Sequence, residues 1–515
     1  MTEPVPAKEE RTRLLYVSPL RALAVDVDKN LRAPLRGISL AAQRLGTQLH
    51  EPTVGIRTGD TSQDERRQLV RHPPDLLITT PESLYLMLTS QARDTLRNVQ
   101  AVIIDEIHAL AATKRGAHLA LTLERLDARC ERPPQRIGLS ATQRPLEEIA
   151  RFLGGFEEDP AAPARRRPRP VTIVDAGTRK PLEIEVVVPV EDMAELGQVI
   201  EEPTSGPAAA GPVRRSIWPA MHPRLLDLVQ EHRSTLIFVN ARRLAERMAT
   251  RLNELASERE TGEEAPFVSA EQTTFVGAEG FGAPPAVELV KAHHGSLSRE
   301  RRLMIEDELK SGRLKGLVAT SSLELGIDMG AVDLVIQVES PGAVARGLQR
   351  IGRAGHQVGE PSRGRLFPKH RADLVEAAVV VDRMHKGLIE HTRYPRNPLD
   401  VLAQQIVAMV ALDDWKVDEL AVLVRRAANF EAITDEVLAS VLDLLSGRYP
   451  SDEFAELRPR IVWDRVEGTV RGRAGSQRLA VTSGGTIPDR GRRPARGPTR
   501  CGGAARRTPR SGSGR

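Results

Sequence analysis

The run Ile103-Ile104-Asp105-Glu106-Ile107-His108 puts two adjacent carboxylates directly after a short apolar segment, residues 101–104. At the end of a buried strand in a nucleotide-hydrolysing α/β domain, the first acid of such a pair holds Mg²⁺ through its water shell. The second polarises an attacking water. A solvated turn at a strand end has the same composition, so the neighbours decide. Ser140-Ala141-Thr142 follows the next apolar segment. Its hydroxyls suit hydrogen bonds to Asp105 or His108 that sense nucleotide state, although the triplet alone reads as a helix cap.

Three further runs suit phosphate contact. Ser18-Pro19-Leu20-Arg21-Ala22-Leu23, Thr58-Gly59-Asp60 and Thr79-Thr80-Pro81-Glu82-Ser83 each lie where an apolar segment ends or in a glycine-containing loop, beside a helix start. Amides and hydroxyls there can hold backbone phosphates without reading bases, and ordinary N-capping uses the same residues. Further on, Thr320-Ser321-Ser322-Leu323-Glu324-Leu325-Gly326-Ile327-Asp328 leaves another apolar segment, and Gln349-Arg350-Ile351-Gly352-Arg353-Ala354-Gly355-His356 follows. Arginines so placed can reach across a cleft to a γ-phosphate, a contribution of about 10³–10⁵ in rate where it operates. A surface basic patch is the plainer alternative. His293-His294 suggests a metal, but adjacent histidines at a strand end fit a domain contact better.

Something must position these runs. Unbroken apolar segments at 14–17, 76–79, 101–104 and 135–139, with helical stretches between them such as 62–70 and 117–128, predict a doubly wound parallel α/β domain over residues 1–160. Residues 159–168 read as a linker. A second α/β series over 161–395 has strands at 234–239, 286–292, 316–319 and 332–337, a helix over 241–254 and a Gly/Glu-rich surface loop to 285. From Asn397-Pro398 the pattern changes to three short helices, the second over 417–428 and the third after Thr434, then β-like runs at 460–463 and 479–482. That pattern predicts a winged helix over 396–455 and the opening of a β-rich domain over 456–491, with a plain three-helix strut as the alternative. Trp415 and Trp463 suit base stacking and core packing equally.

Residues 492–515 carry eight arginines and no acid. They read as disordered, either an Arg/Gly-type nucleic-acid-binding tail or, preferably, an out-of-frame translation of GC-rich DNA. The whole chain has 74 basic and 69 acidic residues; without the tail 66 basic residues face the same 69. Bulk charge therefore carries no argument for nucleic acid, and the motifs must. Two cysteines, Cys130 and Cys501, exclude a disulfide framework and a structural zinc site. No apolar run is long enough to cross a membrane, and the mixed-charge N-terminus is not a signal peptide. The expected setting is the cytoplasm, with no membrane partner.

In order and spacing these runs resemble the motif set of superfamily 2 nucleic-acid helicases over about residues 11–370, with DEIH marking the DExH type. Within that group, YVSPLRALAVDV, TTPESLYLML, HHGSLSRE, TSSLELGIDMG and QRIGRAGH are similar to the large helicase-related (Lhr) family of bacterial ATP-dependent DNA helicases. The similarity continues through 397–491. The resemblance implies an α/β chain of two RecA-like parallel-sheet domains, a winged helix and a β-rich domain cut short. It implies Asp105 as the Mg²⁺ ligand and Glu106 as the hydrolytic base, with His108 in the same catalytic set. Ser140 and Thr142 would couple ATP state to strand movement, and Gly326 and Asp328 would lie at the nucleotide. Arg350 and Arg353 match finger positions, Arg353 the better of the two, and His356 stands where many relatives have arginine. Ser18, Arg21, Thr80, Ser83, Ser296 and Thr320 would grip the phosphates of the tracked strand. The implied activity is ATP-driven 3′→5′ movement on single-stranded DNA, unwinding DNA or RNA–DNA duplexes in repair. An RNA helicase is an alternative, because these motifs contact phosphate and sugar rather than bases.

One element of the set is missing. A GxxxxGKS/T phosphate loop should precede the segment at 14–17, yet of ten lysines only Lys310 is followed by Ser or Thr, and it lies in a helical stretch. Without that loop the β,γ-phosphates lack their amide cradle and lysine. The 515-residue chain is therefore expected not to hydrolyse ATP appreciably. It is also expected to lack the first strand and helix of its N-terminal sheet, as a truncated start would. The alternative is a catalytically dead nucleic-acid-binding protein.

Overall fold

The computed structural model describes residues 6–47, 49–141, 143–175, 180–196, 216–262, 288–324, 332–355, 360–448 and 458–486. In lobe 1 the chain alternates strand and helix: β1 Leu14–Val17, α1 Arg21–Arg44, β2 Val54–Arg57, α2 Gln63–Arg71, β3 Leu76–Thr79, α3 Pro81–Leu88, β4 Ala101–Ile104, α4 Ile107–Ala111, α5 Lys114–Arg129, β5 Gln135–Gly138 and α6 Leu146–Gly154. The five strands form a parallel sheet in the order β2-β3-β1-β4-β5. In LLYV and AVII alternate side chains are buried in the core and the others are partly covered, which is why they read as unbroken apolar segments. Helix starts are set locally: Ser62 and Glu65 form a capping box on α2, and the Thr80 side chain caps α3, which Pro81 opens. A hairpin, β6 Phe156–Asp159 and β7 Ala162–Pro168, follows where a linker was expected. Its Pro/Ala/Arg composition hides the pairing, which the Glu157–Arg167 ion pair supports.

Lobe 2 comprises β8 Leu182–Val186, α7 Trp218–Glu231, β9 Thr235–Phe238, α8 Arg242–Thr261, β10 Val290–His293, α9 Arg299–Lys310, β11 Gly316–Ala319, β12 Leu334–Val338, α10 Val344–Ile351, β13 Ser362–Phe367 and α11 Arg371–Lys386. Its six-stranded sheet runs β10-β11-β9-β12-β13-β8, all parallel, with a hydrophobic cluster on each face. Helix α8 runs seven residues past the expected end at 254, into the stretch expected as a Gly/Glu-rich loop; the rest of that loop from 263 lies outside the described residues, as do 286–287 of the expected strand. Two strands at one side of the sheet, β8 at the edge and β13 next to it, have no apolar run to announce them. On β8 and β13, Glu183 faces Arg363 and Glu185 faces Arg365 across the ladder, so alternate positions are charged and solvent-facing.

The third unit is α12 Leu399–Val410, β14 Trp415–Lys416, α13 Val417–Arg426, α14 Asp435–Ser446, β15 Ile461–Asp464, β16 Thr469–Gly472 and α15 Ser476–Thr482. Strands β15 and β16, in the stretch read as the opening of a β-rich domain, pair antiparallel and join β14 in one sheet, order β14-β16-β15. Three helices with this small sheet make a winged helix. Residues 479–482, expected to be β-like, belong to α15 instead: a four-residue apolar run cannot distinguish strand from helix, and Ala480 is buried beside Tyr85. Residues 492–515 lie outside the described residues.

The winged helix is not a separate ball. One hydrophobic core runs from Leu15 in β1 through α5 to Phe430 and Val470. Helix α5, buried at every position from Gly116 to Asp127, is sandwiched between the lobe 1 sheet and the winged helix. Polar ties cross the same boundary. Arg125 donates to Gln405 Oε1 at 2.8 Å, Lys114 pairs with Asp400 at 2.8 Å, and Arg426 reaches Glu124 at 2.9 Å and Asp127 at 3.1 Å.

Candidate nucleotide site and nucleic-acid cleft

Strand β4 lies between β1 and β5, so its C-terminal end is flanked on both sides. The Asp105 amide still donates to the Val17 carbonyl at 2.9 Å, and the chain then turns sharply. Glu106 takes up φ 45° and ψ 42°, a left-handed conformation that costs a side-chain-bearing residue roughly 1–3 kcal/mol and that clusters at functional positions. The turn brings the Glu106 amide onto Asp105 Oδ1 at 2.9 Å. Burial holds the Asp105 carboxyl above the usual range, while the hydrogen bonds from the Tyr16 hydroxyl and the Glu106 amide pull the other way. The Tyr16 phenol is in turn pushed up by burial and by Asp105.

His108, on α4, is buried. Its Nδ1 accepts from the Ala141 amide at 3.2 Å and lies 3.3 Å from Ser140 Oγ, so Ser140 and Ala141 after β5 touch the DEIH run. Nε2 is then the protonated nitrogen. It faces Glu106 Oε2 at 3.4 Å and the side-chain amide of Gln349 at 2.7 Å; a donor there requires the carboxamide to turn its oxygen to the ring. Burial pushes the imidazole down to about 4, so it is neutral at physiological pH.

Gln349 belongs to lobe 2, so this contact closes the two lobes over the acidic pair. The two arginines of its motif part company. Arg350 points into lobe 2: Nε donates to Glu324 Oε1 at 2.8 Å, Nη1 to Gln337 Oε1 at 2.8 Å and to Asn240 Oδ1 at 3.2 Å. Its guanidinium lies 5.2 Å from the Phe238 ring centroid. Arg353 follows the end of α10, donates to the Glu324 carbonyl at 2.8 Å and faces Glu106. Burial lowers its pKa and Glu106 opposes that shift. Thr142, Gly326, Asp328 and His356 lie outside the described residues.

A cleft of about 1460 Å³ lies where both lobes and the winged helix meet. Arg21, Thr80, Ser83 and Thr320 line it. Thr80 and Ser83 bond each other at 3.0 Å, and Arg21 is held by Asp60. Ser18 is buried, bonded to the Leu20 carbonyl at 3.1 Å; Ser296 accepts from Arg242 at 2.7 Å. The sequence reading did not single out Arg242, Arg302, Arg346 and Arg393, which add positive charge to the walls, nor Thr482 and Gly484 of the winged helix. Arg242 had a legible signal, since it opens the helix directly after β9. The adjacent histidines are each paired, His293 with Glu306 at 3.1 Å and His294 with Glu246 at 2.9 Å. No cluster of three or more His, Cys, Asp or Glu suits a metal ion among the described residues. Trp463 packs against the core with the Arg465 guanidinium 4.0 Å from its ring centroid.

Two parallel α/β lobes closing over an acidic pair, with a winged helix appended, define a superfamily 2 helicase fold. Family models agree: DEAD/DEAH box helicase over 2–149, helicase conserved C-terminal domain over 286–357, and large helicase-related protein winged helix domain over 382–494. The chain belongs to the large helicase-related (Lhr) family. It is 54% identical over 498 residues to the Lhr helicase/probable uracil glycosylase of Mycolicibacterium smegmatis, covering 95% of this chain and 31% of that protein. It is 51% identical to the Lhr helicase/uracil glycosylase of Escherichia coli, covering 94% and 31%. To the ATP-dependent helicase Lhr-Core protein 2 of Thermococcus barophilus it is 40% identical, covering 93% and 50%. Thus the chain spans about a third to a half of these relatives. The solved structure of Mycobacterium smegmatis helicase Lhr bound to single-stranded DNA and AMP-PNP matches with a TM-score of 0.78, at 54% identity, over 94% of this chain and 55% of that one. The DNA-bound DUF1998 helicase MrfA shares the fold, with a TM-score of 0.61 at 19% identity.

Proposed function

We propose that this chain is the strand-tracking part of an ATP-dependent Lhr helicase, moving 3′→5′ on single-stranded DNA and separating DNA or RNA–DNA duplexes in repair, in the cytoplasm. The observation that carries this reading is the inter-lobe contact of Gln349 with His108, with Arg353 set against Glu106. Lobe 2 groups meet the hydrolytic acids of lobe 1 only when the lobes are closed. In this reading Glu106 takes the proton of the attacking water, neutral His108 reports lobe closure to the Ser140–Ala141 loop, and Arg353 balances charge developing on the γ-phosphate. Arg350 acts inside lobe 2, joining Glu324 to Asn240 at the cleft wall. Asp105 fits a Mg²⁺ ion: it is a half-buried hard-oxygen donor whose charge burial penalises, and one or two carboxylates plus substrate phosphates are the usual set for that ion. When bound, the ion would neutralise phosphate charge. The grip of Arg21, Thr80, Ser83, Ser296 and Thr320 is on phosphate and sugar, so binding is largely indifferent to sequence; Ser18, expected in the same set, is buried with its hydroxyl on the Leu20 carbonyl and holds the loop rather than the strand.

A second reading has its own observation. Lys310, alone among the lysines in preceding Ser or Thr, ends helix α9, so these 515 residues carry no phosphate loop. We propose that the chain alone binds single-stranded DNA without turning over ATP. Fluorescence anisotropy with DNA and RNA oligonucleotides of equal length, beside a phosphate-release assay, tests both readings. Salt-sensitive binding without turnover is the expected result. DNA-stimulated turnover by this chain would refute the second reading, and absence of any oligonucleotide binding would refute both.

A further inference from the structure

Residues 389–394 cross between the lobes, and both ends of the crossing are anchored. Ile389 is buried in the lobe 2 core, and Tyr394 in the core shared by lobe 1 and the winged helix. Between the anchors, the Glu390 carboxylate accepts from the amides of Val344 at 2.5 Å and Ala345 at 3.1 Å, the first two residues of α10. His391 forms a parallel bridge with Arg144. The Thr392 amide donates to the Arg144 carbonyl at 2.8 Å, and its hydroxyl bonds Gln143 Oε1 at 2.5 Å. Gln143 is itself buried.

Each handle leads to the same histidine. Helix α10 carries Gln349, which meets His108 Nε2, and leads on to Arg353. Residues 143 and 144 follow the loop whose Ser140 and Ala141 meet His108 Nδ1. The crossing segment is thus bonded on one side to the helix that delivers the lobe 2 groups, and on the other to the loop that delivers the lobe 1 groups.

We propose that residues 390–392 are a coupling strap, in which Glu390 is a positioning residue that keeps α10 in register with the loop after β5. The lobe 2 and lobe 1 groups at His108 then shift together rather than independently. The strap's role in an ATP cycle rests on the reading of this site as a nucleotide-sensing interface; its mechanical coupling does not. Glu390 lies in the cleft wall, and the role assigned to it runs through α10 and the loop after β5.

Amide hydrogen exchange on the full 515-residue chain tests the coupling. Glu390→Gln keeps the side-chain length but weakens the bonds to α10. Thr392→Val removes the hydroxyl and keeps the amide. Loss of a charge-assisted hydrogen bond corresponds to exchange faster by about ten-fold or more. Each variant is expected to speed exchange at both ends, at Val344–Ala345 and at Thr392, and the double variant to be no faster than the singles. Thr392→Ser, which retains the hydroxyl, is expected to exchange like the wild type and shows that the position tolerates change. If Glu390→Gln acts only on α10, Thr392→Val only on its own end, and the double variant sums the two, Glu390 is a local helix cap and the proposal is overturned. Failure of the wild type to bind oligonucleotide would overturn the helicase reading while leaving the exchange result intact, so the two failures are distinguishable.

Discussion

Replacing Glu124 by glutamine keeps the side chain's volume and removes its charge. Glu124 is fully buried on α5 and meets three arginines, Arg136 at 2.9 Å, Arg169 at 2.8 Å and Arg426 at 2.9 Å. Asp127, one turn on, meets Arg136 at 2.7 Å and Arg426 at 3.1 Å. Two carboxylates thus face three guanidinium groups, and Gly155 is packed so close that a Cβ there would lie 2.9 Å from Glu124 Oε1. Burial works against the Glu124 charge, but the arginines outweigh it and hold the carboxyl below the usual range. Asp127 is held above it by burial, with Arg136 opposing and Glu124 adding to the rise. Removing one partner of a buried pair costs about 3–5 kcal/mol. Arg169 and Arg426 keep partial access to water, at 19% and 27%, and the glutamine oxygen still accepts a bond. The expected loss for Glu124→Gln is therefore at the low end, about 3 kcal/mol. For a unit of this size that lowers Tm by roughly 6–12 °C. Glu124→Gln combined with Arg169→Met removes the surplus cation and should recover part of the loss. Calorimetry of the single and double variants decides. A Tm shift under about 2 °C for Glu124→Gln, or a double variant that merely adds the single losses, would refute the picture of one charge-balanced cluster.

The two arginines of the glycine-punctuated motif should separate in the same measurement. Arg350→Met removes a buried guanidinium and leaves half-buried Glu324 without its main partner, and should destabilise lobe 2 by up to about 3 kcal/mol, whereas Arg353→Met, at the lobe interface, should cost clearly less; equal losses would place both in one structural role. Arg242→Ala should weaken single-stranded DNA binding and flatten the plot of log K against log salt by about 0.7, read by anisotropy at several salt concentrations; an unchanged slope would remove Arg242 from the phosphate contacts. Burial holds His108, His118 and His222 near 4 in the folded chain. The unfolded chain takes up these protons first as pH falls from about 6.5, so folding stability should rise with pH between about 4 and 6.5, by at most about 3 kcal/mol per histidine. Urea unfolding across that range checks it, and a flat profile, or the opposite slope, would mean these imidazoles are not buried neutral.

Legibility in the sequence followed burial. Strands β1, β3 and β4 announce themselves because one face is buried and the other at least partly covered, so nearly every side chain is apolar. Strands β8 and β13 sit at one edge of the lobe 2 sheet, and their Glu–Arg ladder erases the apolar run. The DEIH and Ser140-Ala141 runs could be paired from order alone, because strands β4 and β5 are neighbours and both runs leave the same end of the sheet. Spacing could not separate Arg350 from Arg353. Three residues apart on a continuous helix they would share a face, but α10 ends at Ile351, and Arg353 leaves in another direction. Nor could it reveal that the winged helix shares lobe 1's core. The residues that join them, such as Arg125 and Gln405, are 280 positions apart in the chain, and the three arginines of the Glu124 cluster come from three separate segments.

That shared core decides which parts move. Lobe 1 and the winged helix are continuous through α5, whereas lobe 2 has its own clusters on either face of its sheet. Close-packed interiors shift as units rather than deform, so the cleft must open between lobe 2 on one side and lobe 1 with the winged helix on the other. Its walls divide accordingly, Arg21, Thr80, Ser83 and Thr482 on one body and Arg242, Thr320 and Arg346 on the other. A strand bound to both walls is gripped fully at one separation only. The contacts at that separation are mostly polar, Gln349 with His108, Arg353 with Glu106, and the strap at 390–392, beside Ala22 of α1 packed against the lobe 2 core. Net contributions of such bonds are about 0.5–3 kcal/mol each, far less than separating a continuous apolar core. A ligand can shift an equilibrium only by its differential affinity for the two states, and an interface of this kind lies within reach of one whose phosphates bind both lobes. The same reasoning makes the strap consequential: with so few bonds holding the closed state, whether they break singly or together determines how sharply closure responds.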